Sequence, residues 1–217
     1  MLRHPKSEIG LAVLLAVLAG YVDALGFISL GGFFVSFMSG NSTRLGIGIA
    51  DGVPAFVATA GGLIALFVAG VVLGTLAAAG RGRRREIALG IATLLLLSAA
   101  ALETGGRSGL SIAAMALAMG VMNTVFERNG EVSIGVTYMT GTLVKMGQRI
   151  AGALLGGSRT AFLPYGLLWL GLVAGAIIGA MAHGRFGLSA VWGAWSYAAV
   201  LFAVAALMRP PAGRAGR

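Results

Sequence analysis

Apolar residues fill long stretches of this chain, and polar ones break in at two similar places. A helix that spans a bilayer needs about 20 mostly apolar residues. Six runs approach that length: 9–29, 55–79, 87–103, 109–126, 161–182 and 188–208. Two further regions, 31–50 and 131–157, are apolar enough to lie in or against a membrane but carry clusters of small polar residues. The pattern predicts an all-α membrane protein with about six transmembrane helices and two interrupted or re-entrant segments.

The two interruptions are near-copies. Ser36-Phe-Met-Ser-Gly-Asn-Ser-Thr-Arg-Leu-Gly46 faces Thr137-Tyr-Met-Thr-Gly-Thr-Leu-Val-Lys-Met-Gly147, and both fit [ST]-[FY]-M-[ST]-G-[NT]-x-x-[RK]-[LM]-G. Upstream, Gly20-Tyr-Val-Asp23 faces Gly120-Val-Met-Asn123; downstream, Val68-Ala-Gly-x-x-x-Gly74 faces Val173-Ala-Gly-x-x-x-Gly179. The chain therefore divides into an N-terminal segment 1–8, a three-helix repeat 9–103, a second three-helix repeat 104–208 and a basic tail 209–217. Three spans is an odd number, so the second repeat is expected upside down relative to the first. Inverted repeats with broken helices recur in transporters, with the site near the bilayer midplane where the repeats meet. Non-helical backbone at that depth must be buried in protein or line a wet cavity. Gly40 and Gly141 are expected to supply the turn, and Ser39, Asn41, Thr43, Thr140 and Thr142 the hydrogen bonds.

Composition agrees with that class: 58% of residues are hydrophobic, 11% are charged and the mean hydropathy is +0.91, against about 25% charged in a soluble domain. The net charge of +9 argues for orientation rather than nucleic-acid binding, because the cations gather at predicted helix ends and tails. Six spans place Arg3, Lys6, the Arg81-Gly-Arg-Arg-Arg85 cluster, Arg128, Lys145, Arg149, Arg159, Arg209, Arg214 and Arg217 on the side of both termini, and only Arg44, Arg107 and Arg185 opposite. Full crossing by both motifs would put the arginine cluster opposite the N-terminus, which the positive-inside rule disfavours. Both termini are thus expected in the cytoplasm. The first apolar run lacks a small-residue cleavage site and reads as a retained helix rather than a signal peptide. The lack of Cys excludes thiolate chemistry, and with only His4 and His183, near opposite ends of the chain, neither a multi-histidine metal site within one protomer nor a cofactor is expected.

Asp23 is the one acid well inside a predicted span. A charge at the bilayer centre costs at least ~2.5–3.5 kcal/mol, so it should face the interior and have a partner. It reads either as a proton carrier or cation ligand, or as a structural group: an ion pair with Arg44 or Lys145, or a cap for the broken segment. Asn123, its counterpart, keeps shape and hydrogen bonding without charge. Arg44 and Lys145 hold equivalent motif positions and read either as a pair attracting an anion or as side chains snorkelling to each interface. Tyr21, Phe37 and Tyr138 could wall a pocket or simply pack. The Gly70-x-x-x-Gly74 and Gly171-x-x-x-Gly175-x-x-x-Gly179 faces allow close helix approach and are expected to pair the second and fifth spans, or two copies of the chain. Trp192, Trp195 and Tyr197 suit an interfacial belt. Glu127, Arg128 and Glu131 are expected in solvated contacts, and Glu103 exposed at a helix end. No G-x-S-x-G, H-E-x-x-H or Walker-type loop is present.

Gly20-Tyr-Val-Asp-Ala-Leu-Gly-Phe27 with Phe34-Val-Ser-Phe-Met-Ser-Gly-Asn41, and then Thr137-Tyr-Met-Thr-Gly-Thr142, resemble the paired signatures of the YoaK-like bacterial integral membrane proteins. The resemblance covers roughly 9–208; Ser39 stands where the first signature more often has Thr, and a hydroxyl is kept. It implies a bacterial inner-membrane protein of about six spans and assigns no activity. The expected function is a small transporter or channel, not an enzyme, passing a small polar solute or ion between two repeats, with a homodimer formed through the Gly-rich faces. A scaffold without transport and an enzyme acting on lipid-borne substrates are the alternatives.

Overall fold

Every long apolar run becomes a helix, and each polar motif forms a shorter helix of its own. The computed structural model describes residues 5–128 and 131–207; Arg3, His4, the tail 209–217 and the side chains of Arg128 and Glu131 lie outside the described set. In chain order the helices are α1 (Lys6–Ser29), α2 (Met38–Ala50), α3 (Pro54–Ala78), α4 (Arg84–Thr104), α5 (Ser108–Met122), α6 (Met139–Leu154), α7 (Leu163–Phe186) and α8 (Val191–Leu207). A short antiparallel ladder, β1 (Glu127–Arg128) with β2 (Glu131–Val132), precedes α6 and sets Arg128 opposite Glu131.

Four stretches are long and apolar enough to cross a membrane: Ser7–Ser29, Pro54–Ala78, Arg84–Thr104 and Leu163–Leu207. The last is 45 residues, about 68 Å if it were one straight helix, more than twice a hydrocarbon core of ~30 Å. Gly187, at φ 59°, breaks it into α7 and α8; that left-handed conformation is open to glycine and strained for other residues. Helix α5 ends at Met122, short of the expected 126. There Asn123 donates to the Met119 carbonyl (2.9 Å) and Thr124 to the Val121 carbonyl (2.8 Å), side-chain bonds that compete with continued helix.

The glycine faces bring backbones together inside the chain. A Cβ on Gly20 would run into the Leu172 carbonyl, and one on Gly175 into the Val17 carbonyl, so α1 and α7 pack in contact and in parallel. Gly70 meets Leu117 and Gly120 meets Phe67 in the same way, pairing α3 with α5. The expected pairing of the second span with the fifth is therefore corrected: each glycine face lies against the first helix of the other half of the chain, and both are used up within the protomer. Gly175→Ala and Gly70→Ala should each lower stability by ~1–3 kcal/mol, because the obstructing atoms are backbone and cannot turn aside. Gly10→Ala, with nothing within 4 Å of the new Cβ, should melt like wild type; thermal unfolding in detergent checks both.

Ion pairs gather four helix ends at one pole of the bundle. Arg84 pairs with Glu127 at 2.8 Å, Thr75 donates to the other oxygen of Glu127 at 3.3 Å, and Arg85 pairs with Glu8 at 2.9 Å while lying 5.5 Å from the Phe126 ring centre. The Glu127 side chain is only 10% exposed and its partner Arg84 42% exposed, so the solvated contact expected for Glu127 is replaced by an ion pair whose acid is largely buried and whose cation stays open to solvent. At the opposite pole Trp192 donates to Thr104 (3.1 Å), and Ser29 bonds His183 (3.0 Å). Helices α1 and α7 thus run one way, and α3 and α5 the other. Glu103, expected exposed, has its Oε2 buried without a hydrogen-bond partner.

Candidate functional site

After α1 the chain reverses through Gly31 and Gly32, the latter at φ 109° with its N–H bonded to the Phe27 carbonyl at 2.7 Å. Residues 33–37 then run back alongside α1. Asp23, six residues and about 9 Å before the end of that helix, holds them there. Its Oδ1 accepts from the Val35 N–H (2.9 Å) and the Ser36 N–H (2.8 Å), and its Oδ2 accepts from the Ser36 hydroxyl (2.7 Å). Asn41, fully buried, clips the Phe34 peptide from both sides, accepting its N–H at 3.0 Å and donating to its carbonyl at 2.6 Å.

The second motif repeats the device with different chemistry. Thr137 donates to Asn123 Oδ1 at 3.0 Å, while the Asn123 amide donates into its own helix. A carboxylate, which only accepts, suits the first copy with its three donors. An amide suits the second, where one donor arrives and one carbonyl waits. Asp23 thus ties down residues 35 and 36, ahead of the first turn of α2, and among the described residues forms no salt bridge with Arg44 or Lys145.

Both latches deliver a helix start to one cavity of about 370 Å³. Ser36, Phe37, Met38 and Ser39 wall it from the first motif, Thr137, Tyr138, Met139, Thr140 and Gly141 from the second, and Ile64, Phe67 and Val68 of α3 complete it. Phe67 lies 13 residues from Pro54 and 11 from Ala78, about 20 Å and 17 Å along the axis, so the cavity sits half-way down α3. The first N–H groups of a helix lack intrahelical partners, and here two helices begin at the wall of one space.

Ser39, Tyr138, Thr140 and Gly141 of the expected site line this cavity, together with Phe37. The others do different work. Gly40 and Gly141 lie inside the first turns of α2 and α6, so neither makes the turn; the reversal in the first motif is at Gly31 and Gly32. Gly40 instead leaves room for the Phe37 ring, whose Cδ1 would be 2.6 Å from an added Cβ. Thr43 and Thr142 bond back to the carbonyls of Ser39 (3.2 Å) and Tyr138 (3.1 Å) on their own helices. Arg44 stacks over Phe33 at 5.1 Å, Tyr21 donates to the Ala190 carbonyl at 2.8 Å, and Lys145 is exposed on α6. Ser36 and Thr137 were legible as the opening position of the repeated motif. The apolar wall from α3 had no signal of its own inside a uniformly apolar run.

Long apolar helices packed around a cavity between two short ones define a multi-pass helical membrane protein. The chain belongs to the family described as "Protein of unknown function (DUF1275)", which matches residues 11–207. It is similar to the UPF0700 transmembrane protein RA0705 of Rhizobium meliloti (strain 1021), 35% identical over 216 residues that cover 97% of this chain and 92% of that protein. It is also similar to the UPF0700 transmembrane protein YoaK of Bacillus subtilis (strain 168), 29% identical over 150 residues covering 65% of this chain and 66% of that one. The YoaK-like resemblance read from the motifs therefore holds. No solved structure matches the chain.

Proposed function

We propose that this chain is a small inner-membrane transporter or channel in which two inverted three-helix repeats carry a polar solute or ion through the cavity between their motifs. The observation that carries the reading is the convergence of both motif helices on one cavity half-way along α3. Helix α2 leads from that cavity to the start of α3, and α6 leads from it to the start of α7. Because α3 and α7 run in opposite directions, the two short helices point from one chamber to opposite poles, as two re-entrant segments entering from opposite faces would. The exchange of partners, α1 with α7 and α5 with α3, supports the inverted arrangement, and the arginine pairs at the pole of α1 and α4 support cytoplasmic termini.

In this reading the exposed Ser39 and Thr140 offer hydroxyls to the solute, the hydroxyls of Ser36 and Thr137 being held by Asp23 and Asn123, and Tyr138 and Phe37 bound its passage. Asp23, Asn123 and Asn41 are positioning residues that hold the segments carrying those groups. A homodimer would use a surface other than the glycine faces. Purified protein reconstituted into vesicles and assayed with a panel of small ions and neutral solutes tests the proposal. It predicts flux of at least one solute well above protein-free vesicles; no flux across the panel, from protein with a normal melting transition, would sink it.

A further inference from the structure

Helix α6 presents two exposed faces of different chemistry. Leu143, Ile150 and Leu154 are exposed at 38%, 39% and 84%, and the spacing i, i+7, i+11 puts them on one side. Gly141, Lys145, Gln148 and Gly152 are also exposed and share another side by the spacing i, i+4, i+7, i+11. The first face suits lipid. The second, with an ammonium and an amide at membrane depth, needs water or protein against it, because polar side chains inside a membrane face a bundle interior or a wet cavity. The stripe begins at Gly141 in the cavity wall. It runs 11 residues toward the pole where α7 begins, about 16 Å, or half of a hydrocarbon core of ~30 Å.

The charge along this stripe has one sign. Lys145 lies on it and Arg149 beside it, and α6 contains no acid. The described carboxylates are elsewhere: Glu8 pairs with Arg85, Glu127 with Arg84, and Asp23 is bound by Val35 and Ser36. Asp51 caps the far end of α2, and Glu86 and Glu103 sit on α4. None lines the cavity. The positions of α2 and its C-terminal cap that correspond through the motif, Gly40, Arg44, Ile47 and Asp51, hold one cation and one acid, and Arg44 there lies aside over Phe33.

We propose that the cavity opens to the cytoplasmic pole along Gly141, Lys145, Gln148 and Gly152 of α6, and that this stripe selects small anions. The inference rests on the cavity being a solute site and names the class of solute it takes. Lys145 is then a selectivity residue, and Arg149 widens the same positive field at the mouth. A cation would meet like charge over this half of the route, with none of the described carboxylates there to offset it.

The test is flux into vesicles containing the full chain, with small inorganic anions, small inorganic cations and neutral solutes of matched size, for wild type, Lys145→Gln and Lys145→Glu. Lys145 is exposed, so the variants should keep the wild-type melting temperature; Gln148→Glu repeats the charge change on the same stripe should Lys145→Glu fail to fold. Expected are anion rates at least ~10-fold above cation rates in wild type, a several-fold anion loss in Lys145→Gln and a loss of at least ~10-fold in Lys145→Glu or Gln148→Glu, each tenfold being ~1.4 kcal/mol. Cation or neutral flux exceeding anion flux, or anion flux indifferent to both glutamate variants, overturns the anion route while leaving the cavity as a solute site. Absence of all flux overturns the solute site itself, and this inference with it.

Discussion

Asp23→Ala is expected to be the most damaging single substitution in the chain. It orphans the Val35 N–H, the Ser36 N–H and the Ser36 hydroxyl at once, and a buried donor left without a partner costs ~1–3 kcal/mol. The combined loss should be roughly 3 kcal/mol or more. For a chain of this size that corresponds to a fall in Tm of about 6–12 °C. Asp23→Asn keeps one oxygen for the two backbone donors, and its amide can donate to the Ser36 oxygen, so its cost should be about 1 kcal/mol. Thermal unfolding of purified protein separates the two. An alanine variant melting within ~2 °C of wild type would contradict the latch. An asparagine variant that melts normally but no longer moves solute would show that the charge of Asp23, and not only its acceptors, is used.

Gly141→Phe should do the converse, leaving the fold intact and closing the site. Nothing lies within 4 Å of a Cβ at Gly141, the residue is exposed and helical, and its side chain would project where the cavity wall now stands open. Substitutions without clash or lost contacts usually change stability by no more than ~0.5 kcal/mol, so Tm should hold. Flux should drop at least ~10-fold, a transition-state penalty of ~1.4 kcal/mol or more. Gly147→Phe, also exposed on α6 with nothing within 4 Å of its Cβ but outside the cavity wall, is the matching control and should transport normally. Equal flux in wild type and Gly141→Phe would remove the cavity from the route.

Much of this architecture could be read from spacing alone. Runs of about 20 apolar residues admit few alternatives to a helix, and the duplicated motif pointed to the place where the two halves meet. The glycines announced close packing but not its partner, because a smooth face fits any other smooth face; only the backbone contacts of Gly175 with Val17 and of Gly70 with Leu117 assign it. The turn was misplaced because Gly40 and Gly141 are the motif's own glycines, whereas the reversal used Gly31 and Gly32, outside the repeated pattern. Asp23 was visible as the sole acid in a span, but three donors from a segment 12 and 13 residues away are a tertiary fact. Likewise Lys145 and Arg44 looked equivalent in sequence. One stands exposed on α6, and the other lies over an aromatic ring supplied by the loop before its own helix.

The central claim is that both motifs wall one solute-filled cavity, and the cysteine-free chain permits a direct test. Single cysteines at Ser39 and at Thr140, both exposed at the cavity, would be labelled in reconstituted vesicles with a small water-soluble thiol reagent, with and without a transported solute. The account predicts that both positions react and that the same solute slows labelling at both. Labelling of only one position, or of both with no protection by any transported solute, would contradict it.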